Sequence, residues 1–96
     1  MGRPLQPRFA LGQVVMTRGV AELFESGVIE VPQAYVLRHV TGDWAELDEP
    51  DRRRNERAVL AGERIFSVFK ITATVKIYVI TEWDRSVTAL LLPLEY

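Results

Sequence analysis

The chain contains no cysteine. Disulfides, thiolate zinc sites and a cysteine nucleophile are therefore excluded. It has a single histidine, His39, which rules out a histidine-based metal cluster. The carboxylates of Asp43, Asp48 and Asp51 remain as ligands for a hard cation, but they lack the alternating oxygen ligands and central glycine of a calcium loop. Neither a metal nor another cofactor is expected. Lysine is scarce too: Lys70 and Lys76 are the only two among 12 basic residues, against 13 acidic ones, for a net charge of −1. The basic excess of a dedicated nucleic-acid binder is missing, so a nucleic-acid partner is possible but not favoured. No apolar run approaches the ~20 residues of a membrane-spanning helix. The opening residues, Met1 to Arg8, lack the apolar core of a signal peptide, and Gln6 breaks the myristoylation pattern. The expectation is a cytoplasmic protein with no membrane association and a flexible lead-in over residues 1–8.

What is present fits one domain over residues 9–96. A chain of 96 residues buries roughly 60–65% of its unfolded surface, enough for one core and no regulatory module. Val14 to Thr17 reads as a short strand between Gly12 and Gly19. Val20, Leu23 and Phe24 then have the spacing of one helical face, with Gly27 placed to end that helix. Pro32 suits the first turn of a second helix running to about Val40, with Val36, Leu37 and Val40 as its apolar stripe, Tyr35 and His39 on an adjacent face, and Gly42 at its end. Asp43 and Glu46 have the spacing of a capping box. Asp48-Glu49-Pro50-Asp51 repeats that logic and opens the longest helix, to about Ala61, closed by Gly62. Acids precede Arg52, Arg53, Arg54 and Arg57 along it, the order the helix dipole favours, so the arginine run reads as a solvated face.

Lys76 to Pro93 is the most apolar stretch and reads as a hairpin, to which Glu63 to Ile71 adds the first strand of a meander. If Thr72, Ala73 and Thr74 form a loop, Phe69 faces Ile77, Ser67 faces Val79, and Ile65 faces Thr81. Those residues share the core face. Arg64 then lies opposite Glu82, a favourable pair, and Lys70 opposite Lys76, an unfavourable one. A second hairpin breaks at Trp83 to Ser86, and the tail from Leu90 to Tyr96 is apolar on both faces, as expected of a strand covered on both sides or lying centrally in the sheet. A strand, then helices, then three strands indicates an α+β fold: two to three short helices on one face of a mainly antiparallel three- to four-stranded sheet.

His39-Val-Thr-Gly42-Asp43-Trp44, Asp51 with Asn55, Gly62-Glu-Arg64-Ile-Phe-Ser67, Ile80-Thr81-Glu82-Trp-Asp84-Arg85-Ser86-Val-Thr88 and Leu91-Leu92-Pro93-Leu-Glu95-Tyr96 together resemble a family of small bacterial "plasmid-related" or hypothetical proteins. That family is found on plasmids, prophages and integrative elements. The likeness runs from about Gly12 to Tyr96. It departs at Tyr78, where the family commonly has tryptophan, and at Trp83, where it has a small residue. The family carries no established activity, so the resemblance implies a mobile-element setting and nothing chemical.

Two function classes follow. In the first, the protein is a non-catalytic interaction protein, with inhibition of a host defence system as a specific case. Phe66, Val68, Tyr78 and Ile80 fall on the sheet face opposite the helices and would form an apolar interface, rimmed by charge, for a second copy or another protein. Cover by Met1 to Leu11 is the alternative fate of that face. In the second, the protein is a small metal-independent ribonuclease in which His39 is the base, Arg64 and Arg85 hold phosphate, and Thr88 or Ser67 donates a hydrogen bond. Without catalysis, His39 is a helix C-terminal residue favoured by the dipole. The cluster Glu82, Asp84, Ser86 is then good turn chemistry.

Overall fold

Proline and glycine punctuate the chain where the helices begin and end. A computed structural model describes residues 6–96. The first strand, β1 (Gln13–Met16), runs directly into helix α1 (Arg18–Glu25), which is followed by α2 (Pro32–Val40) and α3 (Glu49–Ala61). Pro32 occupies the first turn of α2, where its missing N–H costs nothing. Asp48 caps α3, its carboxylate accepting the Asp51 N–H. Gly62 ends that helix in the left-handed conformation, at φ 70°. The expected cap at Asp43 does not form, because no helix starts there. Asp43 instead accepts from Arg38 at 2.7 Å, and that guanidinium holds its carboxyl below the usual range. On α3, Arg53 pairs with Glu49 and Arg54 with Asp51 along the exposed face, as a solvated arginine run should.

Three strands complete the fold: β2 (Ile65–Lys70), β3 (Lys76–Thr81) and β4 (Val87–Leu91), with a short 3₁₀ turn at Pro93–Glu95. The sheet order is β1-β4-β3-β2. The β2–β3 pair has the register anticipated from the loop length, with Ile65 opposite Thr81, Phe69 opposite Ile77 and Lys70 opposite Lys76. Strand β4 is central, one of the two placements its two-sided apolar sequence allows, antiparallel to β3 and parallel to β1. Gly12 makes the β1–β4 junction possible. It has φ 64°, and a Cβ there would lie 2.3 Å from the Ser86 carbonyl oxygen.

The helices cover one sheet face, the inner one. Val20, Ile29 and Val36 pack there against Phe69, Ile77, Val79 and Leu90. A second cluster joins Trp44, Leu47 and Ala58 to Ile65, with Phe9, Val59 and Val68 against it. The N-terminal approach is anchored to this face. The Arg8 N–H donates to the Val40 carbonyl, its guanidinium pairs with Glu56 and sits over the Trp44 ring, and Leu11 packs on the main core. The flexible lead-in anticipated over residues 1–8 thus meets a fixed Arg8, and its first five residues lie outside the described ones. Leu37 departs from its expected core position and is 53% exposed. Among the described residues, no helix is long and apolar enough to cross a membrane.

Candidate functional site

Four of the buried polar side chains, Ser67, His39, Thr81 and Thr88, form one chain across the core. His39 is fully buried, with Nδ1 2.6 Å from the Ser67 hydroxyl and Nε2 2.8 Å from that of Thr81. Thr81 is 2.6 Å from Thr88, which donates to the Leu11 carbonyl at 2.7 Å. Each hydroxyl has one proton, so the carbonyl at the end sets the direction of every bond. Thr88 spends its proton on Leu11 and accepts from Thr81. Thr81 therefore accepts from His39, which puts the imidazole proton on Nε2. Nδ1 is then the acceptor, and Ser67 donates to it.

Burial, aided by the nearby Arg85 charge, lowers the His39 pKa from 6.5 to about 3. A neutral ring satisfied at both nitrogens and closed to solvent is a structural element. The sequence suggested a base titrating near neutrality or a charged ring on a helix dipole, and desolvation overrides both. Ser67, Thr81 and Thr88 are equally buried, so the Ser67–His39 couple is closed to solvent.

The two arginines expected to hold phosphate are occupied. Arg85 donates to the carbonyls of Glu63, Glu82 and Ala58 at 2.6, 3.1 and 2.9 Å. It thereby ties the end of α3 to the β3–β4 turn, and its guanidinium lies over the Phe9 ring. Arg64 bonds Glu82 at 3.3 Å and the Tyr96 hydroxyl at 2.9 Å. Thus Thr88 joins His39 through Thr81 and the Arg85 charge acts on that ring, while Arg64 joins Tyr96. Glu82 serves that ion pair. Asp84 accepts from the N–H and hydroxyl of Ser86, and these bonds lower its pKa. This is turn chemistry. No group of three His, Asp or Glu among the described residues is placed to hold a metal.

The anticipated interface on the outer face is not a bare patch. Ile80 is only 5% exposed, and Phe66, Val68 and Tyr78 are half-buried. The cover comes from the C-terminus: the Tyr96 ring stands edge-on to Phe66 and to Tyr78, 5.9 Å from each. Glu95 locks this segment by accepting from Thr17, Gly19 and Leu92. A strand-alternation argument places those four residues on one face but says nothing about which distant segment covers it.

Apolar side chains are exposed along β1, besides those at Leu60, Trp83 and Leu94. Val14, Val15 and Met16, with Phe24 of α1 and Leu37 of α2, are between 37% and 53% exposed. Val14, Met16, Phe24 and Leu37, with Leu11 and Val36, line a cleft of about 660 Å³ between the two helices and the sheet. Gln33 is the one lining residue with a polar side chain.

The two edges of the sheet are treated differently. On β2, Asn55 of α3 donates to the Phe66 carbonyl at 2.7 Å and accepts its N–H at 3.1 Å, while Glu46 accepts the Lys70 N–H at 2.7 Å. These side chains occupy backbone groups that would otherwise recruit another strand. On β1, the N–H groups of Gln13 and Thr17 bond Ser86 and Leu90 of the β4 side. Val14 and Met16 therefore turn theirs outward, and no described side chain caps them. The strand Gln-Val-Val-Met also lacks the lysine, proline or inward charge that protects edges. This was legible only in part: the strand was visible in the sequence, and its nakedness was not. Comparison of the chain with protein-family models, curated proteins and solved structures gives no match.

Proposed function

We propose that this chain is a non-catalytic interaction protein that takes a protein partner along β1 and into the adjoining cleft. One observation carries the reading: the fold blocks its β2 edge with Asn55 and Glu46 and leaves the apolar β1 edge open beside an apolar cleft. The likeness to plasmid-related proteins supports a mobile-element setting. There, inhibition of a host or rival defence protein in the cytoplasm suits a small binder without chemistry of its own. The enclosed His39 and the occupied Arg64 and Arg85 weigh against the ribonuclease alternative. The test is affinity capture from bacterial host cells with the wild-type chain and with a Val14→Lys/Leu37→Glu double variant. Both sites are solvent-accessible, so circular dichroism should match. Wild type should retain specific proteins that the variant loses. Equal retention by both would refute the reading, as would RNA or DNA cleavage by purified protein that disappears in a His39→Asn variant.

A further inference from the structure

We infer that β1 pairs with β1 of a second copy, antiparallel about a two-fold axis at Val15, to form a continuous eight-stranded sheet. The inference rests on the interaction reading above and names a partner for the same edge.

The geometry permits one good register. A two-fold axis normal to the sheet keeps inner faces together, so residues that face each other must lie on the same face of β1. Centring on Val15 sets Val14 opposite Met16 of the second copy, and Met16 opposite its Val14. Val14 and Met16 are the residues whose N–H and C=O point out of the sheet, so both facing pairs are hydrogen-bonded ones. Centring on Val14 instead brings Met16 against Gly12, whose left-handed φ of 64° takes it out of the strand conformation.

The side chains agree with that register. Val14 meets Met16 on the inner face, Val15 meets Val15 on the outer face, and no like charges oppose each other. Because inner face joins inner face, the two clefts run together across the new pair. The apolar rims at Phe24 and Leu37 then border one shared groove.

The pairing covers Val14, Val15 and Met16, each between 37% and 45% exposed in the single copy. Symmetric pairing of one patch with itself is also the commonest way such surfaces close.

The absence of native cysteine makes the register directly testable. In a non-hydrogen-bonded antiparallel pair, facing Cα atoms lie about 4.5 Å apart, within disulfide range. A Val15→Cys variant of the full chain should therefore oxidise to a covalent dimer. A Val14→Cys variant should not, because its two copies sit diagonally, beyond about 7 Å. Wild type should sediment as a dimer in analytical ultracentrifugation, and Val15→Lys, which opposes two like charges, should sediment as a monomer with unchanged circular dichroism. A monomeric wild type, or cross-linking at Val14→Cys but not at Val15→Cys, overturns the inference. If wild type is monomeric while the Val14→Lys/Leu37→Glu variant still loses captured partners, the dimer fails and the interaction reading stands. If the dimer forms and capture is indifferent to that variant, a heterologous partner fails alone.

Discussion

Acid should unfold this protein through His39 before any carboxylate is involved. The ring is buried and neutral, with its pKa lowered from 6.5 to about 3. An unfolded chain takes up the proton at the ordinary value, and the folded one resists it. The corresponding stability is fully present above pH 6.5 and is lost as the pH falls toward 3. The slope approaches about 1.4 kcal/mol per pH unit, so pH 5 should cost about 2 kcal/mol relative to neutrality. A domain of this kind has roughly 5–15 kcal/mol in all, so the loss is large. No other histidine is present, and carboxylates lowered by their partners, such as Asp43 and Glu56, contribute only at lower pH. Urea unfolding followed by tryptophan fluorescence at pH 5.0 to 7.5 should show the midpoint falling with unchanged m-value. A His39→Asn variant, although less stable at neutral pH, should show a flat profile over that interval. A flat wild-type profile, or an equal slope in the variant, would mean that His39 is protonated in the folded protein and the hydrogen-bond directions derived above are wrong.

Two further outcomes test the ends of the sheet. Asn55→Ala leaves the Phe66 N–H and C=O without their side-chain partner and should cost about 1–3 kcal/mol in a thermal or urea melt; a change below a few tenths would show that water replaces Asn55 at that edge. Neutralising Arg64 and Glu82 together should cost less than the sum of the single changes, by about 0.2–1 kcal/mol for this half-exposed pair. Strict additivity would mean that the pair has no interaction energy.

The features legible in the sequence are those set within a few residues of chain. Pro32 and Gly62 mark helix ends because of their own backbone preferences. Asp48 reaches a donor only three positions away. The β2–β3 register follows from the length of one loop together with alternation of Ile65, Ser67 and Phe69. That is why the α+β architecture and the Arg64–Glu82 pair are legible in the sequence. The capping box expected at Asp43 does not form because no helix starts there, and the carboxylate is taken by Arg38 instead. Leu37 was assigned to the core from spacing alone, although a helix's neighbours decide how wide its buried face is.

Everything that bears on function was decided by tertiary structure. The pKa of His39 depends on burial by elements that no local pattern specifies and on the nearby Arg85 charge, while its ring nitrogens bond Ser67 and Thr81, which lie 28 and 42 residues away in sequence. The outer face of Phe66 and Tyr78 is covered by Tyr96 because Glu95 anchors the C-terminus to the start of α1, a contact 76 residues long. Strand β1 reads like any apolar strand, but its open edge exists only because α3 folds back on β2 and, among the described residues, nothing folds back on β1. Composition and periodicity specify which residues prefer to be buried. Which surfaces remain bare is settled by how a finite chain distributes its few covering segments.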